Sequence, residues 1–253
     1  MHPIERLRYV ARASDAPADA VFREAAWSLA GFAEDRAALV TGCRRLVDRH
    51  PTNGPIWWLC ARVLCSDDPV TEAESCVADI DSDRTLHDLS YALAPDAVVA
   101  VVGWPPRLAE SFARRGDVEV RVVDVEGDGP GFVRALDDSD VSGVDVDVTG
   151  LAAAVATSDV LLIDAAVVGP GFAVVPSGNW AAAAVARTSS VPVWLVGGVG
   201  RRVGERTWRA LWNRMERPGR PLWANGTDRL PLDLVDRQID VSDVVVEVPE
   251  LWH

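Results

Sequence analysis

Asp164 ends an apolar run, SDVLLID, and is followed by a loop marked by Gly169, Gly171 and Gly178 that leads into an alanine-rich stretch, NWAAAAVA. A carboxylate at the carboxyl end of a buried strand is a candidate proton acceptor. The loop offers a second kind of chemistry. Free backbone N–H groups at a helix start, together with the positive helix end, hold anions. Gly171, Ser177, Gly178 and Asn179 are therefore candidate ligand contacts, although Ser177 and Asn179 are also good helix caps that need no ligand. Arg107, in GWPPR, is a second candidate anion contact. Gly198-x-Gly200 with Gly204 beyond resembles a dinucleotide loop, but its last spacing is one residue too long and it comes late in the chain.

Composition narrows these options. Every one of the 25 basic residues is arginine, so neither a Schiff-base lysine nor a Walker-type phosphate lysine exists. Side-chain capture of an anion falls to arginine, whose fork suits phosphate. The net charge of −13 argues against general nucleic-acid binding, which needs a basic surface. Cys43, Cys60, Cys65 and Cys76 form no C-x-x-C pair, and His2, His50, His87 and His253 are scattered. No metal site and no disulfide framework is expected, and no cofactor. The amino-terminal MHPIERLRYVARASD carries charges where a secretion signal needs an apolar run, and no uncharged run has membrane-spanning length. A cytoplasmic protein is expected.

The elements that must position these residues fall into two textures. Over residues 1–90 the apolar positions Val21, Ala25, Leu29, Leu39, Cys43 and Leu46 recur at helical spacing, broken after Phe32. IWWLCARVLCS continues as a helix, with Trp57 and Trp58 pointing about 100° apart. DPVTEAESCVADID suggests a helix opened by a Thr71–Glu74 capping box. Over residues 91–253 short valine-rich runs (DAVVAVVGW, VEVRVVDV, VSGVDVDVT, SDVLLIDAAVV, VPVWLVGG) alternate with helical segments. ERTWRALWNRMERPGRP reads as a late amphipathic helix, and LPLDLVDRQIDVSDVVVEVPELWH closes the chain. Runs apolar on both faces suit a parallel sheet, and the alternation predicts a doubly wound α/β domain behind a helical amino-terminal domain.

The order of these segments resembles the superfamily that joins the alpha, beta and delta regulatory subunits of translation initiation factor 2B to the isomerases of methylthioribose-1-phosphate and ribose-1,5-bisphosphate. DRHPTNGPIWW is similar to the family's Arg-Pro-Thr turn and helix. DAVVAVVGWPPRLAESFARRGDVEVRVVDVEG is similar to its strand-loop-helix-strand, and LPLDLVDRQI to its late Pro-x-Asp segment. In SDVLLIDAAVVGPGFAVVPSGNWAAAAVARTSSVPVWLV, Gly171 and Gly178 keep the family separation. The resemblance implies a helical domain plus a Rossmann-like domain, homodimers, and a small phosphorylated ligand contacted by Arg49, Gly103, Trp104, Arg107 and the Gly171–Asn179 loop.

The departures lie at the reacting groups. The family cysteine position falls at Val102 or Gly103 and its aspartate at Ala165 or Ala166. Pro176 replaces the family lysine, Asn179 the threonine, and no Arg-Gly-Ala motif is present. Isomerisation needs a positioned acid or base; Asp164 is the remaining candidate, one residue out of register, where alternation turns its side chain to the opposite face. The expectation is a binding protein with its catalytic pair removed, acting as a regulatory or interaction protein. The alternative is an aldose–ketose isomerase with substituted residues.

Overall fold

The computed structural model describes residues 18–216, 224, 226–239 and 244–252. The amino-terminal MHPIERLRYVARASD, residues 217–221 of the late amphipathic helix and residues 240–243 lie outside the described residues.

Helices α1 (Ala18–Ala30), α2 (Arg36–Arg49), α3 (Gly54–Cys65) and α4 (Pro69–Asp81) form the first layer. Their starts follow local chemistry. Asp35 caps α2 through Ala38 N–H, and Asn53 caps α3 through Ile56 N–H, with Pro55 in the first turn. The start of α4 differs from expectation. Asp68 is the cap and accepts from the N–H groups of Val70 and Thr71, while the Thr71 hydroxyl donates to the same carboxylate. Pro69 sets the first turn immediately after Asp68, so a box at Thr71–Glu74 comes too late. The helices bury Leu29, Leu46, Trp57 and Cys60 in a shared core that also takes in Val167, Val174, Trp208 and Leu251.

Beyond α5 (Thr85–Ala92) the chain alternates strand and helix: β1 (Val98–Val102), α6 (Pro106–Arg115), β2 (Glu119–Asp124), α7 (Gly129–Asp137), β3 (Ser142–Asp147), α8 (Leu151–Ala156), β4 (Val160–Asp164), β5 (Val167–Val168), β6 (Phe172–Pro176), α9 (Asn179–Ser189), β7 (Val193–Val196), α10 (Glu205–Met215), β8 (Thr227–Pro231) and β9 (Arg237–Ile239). Six strands make one parallel sheet in the order β3-β2-β1-β4-β7-β9. An antiparallel sheet, β5-β6-β8, stands beside it.

Both faces of the central strands β1, β4 and β7 are covered, which is why these strands read as continuous apolar runs. Ala100, Leu161, Ile163, Val193 and Leu195 face α8 and α9, packing with Val155, Ala182, Ala183 and Ala186. The alternate residues Val99, Val101, Leu162 and Val196 face α5–α7 and meet Leu89, Leu108, Phe112 and Phe132. Leu89 and Leu93 thus belong to the sheet's core although they follow the helical layer in sequence.

Candidate functional site

The strand order reverses between β1 and β4, and in open α/β sheets the crevice outside the carboxyl ends at that point is where ligands sit. Val99 and Ala100 of β1 pair with Val160 and Leu161 of β4, so Gly103 and Asp164 end neighbouring strands at one mouth. Gly103 turns the chain there with φ +66°, a conformation glycine adopts freely, and its N–H donates to Val123 O. Trp104 is 44% exposed and tilts onto Phe132, 5.8 Å between ring centres.

Arg107 lies in the first turn of α6. Its Nη1 donates to Asp164 Oδ1 at 2.6 Å, and its Nη2 donates to Gly197 O at 2.8 Å. Strand parity explains the meeting. Asp164 shares a face with Leu162, the face α6 covers, whereas Ala165 lies on the opposite face in the α8–α9 core. The one-residue offset seen in the sequence therefore sends the carboxylate to Arg107. The two side chains keep only 22% and 13% of their exposure.

The loop before α9 reaches the same mouth. Gly178 takes φ +91° as the residue capping α9, and a Cβ there would stand 3.0 Å from Val102 Cγ1 and 3.1 Å from Val125 Cγ1. The left-handed φ favours glycine, and a side chain would also press tightly on Val102 at the end of β1 and on Val125. The caps expected at Ser177 and Asn179 are not made. Asn179 is buried and turns Nδ2 back to Pro176 O at 3.0 Å, and Ser177 N–H donates to Gly226 O. Asp228 on β8 accepts from Trp180 N–H at 3.0 Å, so a carboxylate of the chain already occupies the helix start. Gly171 sits at the exposed β5–β6 turn, its carbonyl accepting from Leu232 N–H. Arg49 ends α2 and is exposed.

The helical layer closes over this edge. A Cβ on Gly54, at the start of α3, would stand 2.9 Å from both Ala166 O and Arg201 Cα. Arg201 Nη1 donates to Ala165 O at 2.7 Å. The Gly198–Gly200 loop has no place as a phosphate loop. Gly200 (φ +74°) lies flat on Trp58, and Val199 N–H donates to Asp83 Oδ2 at 3.0 Å. Asp83 and Asp228 escaped the sequence reading. Asp83 sits before Thr85, whose N–H and hydroxyl it accepts, a local Asx pattern open to inspection. Asp228 reaches α9 from β8 across the fold and leaves no local signal.

Two buried thiols, Cys60 and Cys76, are not poised for chemistry. Burial pushes the Cys76 thiol up to about 12 and Cys60 well above its usual range, with the Cys43 thiol beside Cys60 acting in the same direction. Among the described residues no cluster suited to a metal ion occurs, and no helix is long and apolar enough to cross a membrane.

The architecture is that of a Rossmann-like α/β protein with a helical layer folded over the carboxyl edge of its sheet. The same fold is seen in the Pyrococcus horikoshii OT3 translation initiation factor eIF-2B, at TM-score 0.73 and 13% identity over 94% of each chain. It recurs in eIF2B beta from Chaetomium thermophilum, at 0.70 and 17% over 93% of this chain and 85% of that one. 5-Methylthioribose 1-phosphate isomerase from Pyrococcus horikoshii OT3 shares it at 0.62 and 13%, over 94% and 82%. No family model and no curated protein matches the sequence.

Proposed function

We propose that this chain is a non-catalytic member of that structural group, a cytoplasmic regulatory or interaction protein. The observation that carries the reading is the ion pair between Arg107 and Asp164. It engages the one carboxylate at the end of β1 or β4 with a guanidinium, where an isomerase needs a group free to take a substrate proton. The positions at which the resemblance places cysteine and aspartate hold Val102, Gly103, Ala165 and Ala166.

The ligand class that fits the resemblance is a sugar phosphate or nucleotide. Its phosphate would exchange with Asp164 at Arg107 and with Asp228 at the start of α9, contacting Gly103, Trp104, Ser177, Gly178 and Asn179. Arg49 is the outer contact, whereas Gly171 stands at the hairpin tip, the whole length of β6 from Gly178, and lies outside this contact set. Such an exchange costs two internal contacts, so affinity is modest. The working assembly is a homodimer, by analogy with the oligomeric Chaetomium thermophilum beta–delta complex that shares the fold at TM-score 0.71.

The test pairs turnover with binding. Purified protein is given ribose-1,5-bisphosphate or methylthioribose-1-phosphate and followed by NMR for ketose, while its melting temperature is read with each compound and with AMP. The reading requires no turnover and a rise in Tm that Arg107→Ala removes. Turnover abolished by Asp164→Asn would establish the isomerase instead.

A further inference from the structure

A cavity of about 540 Å³ is lined by the helical layer, the α4–α5 turn, the loop after β7 and the Val244–Val246 segment. That is the size of a small-molecule site, roughly 300–1,000 Å³. Trp58 and Arg62 of α3 form one wall, with Asp79 of α4 beside them, and the α4–α5 turn forms the next. Val199, Val244 and Val246 face them.

Most of the lining charges are engaged. The Arg62 guanidinium stacks over the Trp58 ring at 5.2 Å and pairs with Glu72 and, at 3.4 Å, Asp79. The Asp83 carboxylate is held by Thr85 and by Val199 N–H. Two groups are left. Arg84 and Asp88 line the cavity from the start of α5, and among the described residues neither side chain has a hydrogen bond or ion pair, not even with the other. Being four apart, they stand on one side of the helix. The apolar wall is equally open. Val245 is fixed by a bridge to Val203, its N–H donating to Arg202 O. The extended backbone thus turns Val244 and Val246 to one side, each 53% exposed.

We propose that this cavity binds a small zwitterion with an apolar side chain, of the α-amino-acid class. Its carboxylate takes the Arg84 fork. Its ammonium lies at Asp88, with the weakly held Asp79 next to it. Its side chain covers Val199, Val244 and Val246. A phosphorylated anion is disfavoured here, because the lining carries three carboxylates, Asp79, Asp83 and Asp88, against two guanidiniums, Arg62 and Arg84. The proposal is independent of the reading of the Arg107–Asp164 mouth.

The test is thermal shift and saturation-transfer NMR on the full chain with the standard amino acids at millimolar concentration. L-leucine is compared with 3-methylbutylamine, which lacks its carboxylate, and 4-methylpentanoate, which lacks its ammonium. An aliphatic amino acid is expected to bind, and each fragment to bind about tenfold more weakly or less, the loss of one charged hydrogen-bonding group. Arg84→Ala and Asp88→Asn, both at exposed positions, are each expected to abolish binding while leaving the unliganded Tm in place. Three results overturn the proposal: no amino acid binding the wild type, binding that survives both substitutions, or the amine or inorganic phosphate binding as well as the amino acid.

Discussion

Arg107 and Asp164 close the point at which the sheet reverses its strand order, with Nη1 2.6 Å from Oδ1 across the ends of β1 and β4. The guanidinium is anchored a second time at Gly197 O, so it spans from β4 to the end of β7. The pair is partly buried, and removing one partner leaves the other desolvated without a countercharge. Arg107→Ala is expected to lower stability by about 1–3 kcal/mol, below the figure for a fully buried pair because water still reaches both groups. Asp164→Asn should cost less, since an amide oxygen still accepts. A double-mutant cycle in urea unfolding gives the coupling; additivity of the two substitutions would show that the contact contributes nothing.

Gly200 should tolerate no side chain. It combines φ +74° with a Cβ position 2.8 Å from Trp58 Cβ and 3.0 Å from Trp58 Cγ, the stem of the side chain and not its mobile end. Gly200→Ala is expected to cost about 1–3 kcal/mol from backbone strain and overpacking together. Gly171→Ala, with open space around it, is the matched control. Equal Tm values for the two variants would contradict the packing described.

The thiols divide by burial. Cys65 is exposed while Cys43, Cys60 and Cys76 are buried. Ellman's reagent should titrate one thiol quickly in native protein and all four only on unfolding. A pH dependence follows. Burial raises the Cys76 thiol from 9.0 to about 12 in the fold, so the folded state binds its proton more tightly than the unfolded chain. That contribution is complete below pH 9 and is lost as pH rises towards 12. Cys76→Ala should flatten the decline over that window relative to wild type, read by urea unfolding at stepped pH.

Asp81 gives the opposite sign at the acid end. The Arg23 guanidinium beside it holds its carboxyl below the usual range. The unfolded chain then binds the proton more readily, and the contribution is present at neutral pH and fades as pH falls through the folded value. The pair is exposed and its effect is small. Arg23→Gln should lower stability slightly at neutral pH and flatten the decline into acid, leaving stability nearly unchanged once Asp81 is protonated in both states; a large loss that persists in acid would mean that Arg23 matters for packing.

What the sequence disclosed was periodicity. Val98–Val102 and Val160–Asp164 are buried on both faces, and their unbroken apolar pattern marks a parallel sheet wherever it sits in the chain. The convergence of Gly103, Asp164 and Gly178 also follows from element order, because the first and fourth strands of such a sheet lie side by side. Pairing partners did not follow. Asp164 meets Arg107 from 57 residues away, Trp180 N–H meets Asp228 from 48, and neither separation has a local signature. The start of α4 was missed for a different reason. Two capping patterns overlapped at Asp68 and Thr71, and the proline after Asp68 decided between them.

The start of α9 carries the last prediction. Its free N–H groups and positive end meet the Asp228 carboxylate through Trp180 N–H at 3.0 Å, an arrangement worth about 0.3–1 kcal/mol for a partly exposed carboxylate. That carboxylate competes with any external anion for the same N–H. In wild type, inorganic phosphate should therefore raise Tm little beyond a chloride control of equal ionic strength. Asp228→Ala removes the competitor and returns the helix start to solvent; it should lower Tm slightly in chloride and recover part of the loss in phosphate. Asp228→Asn keeps an acceptor oxygen without the charge and should fall between the two. If phosphate stabilises wild type as strongly as Asp228→Ala, the anion enters without displacing Asp228 and the contact is only a cap. If phosphate stabilises neither protein, the start of α9 is no anion site even when vacated, and the phosphorylated ligand proposed for this mouth would have to rely on Arg107 alone.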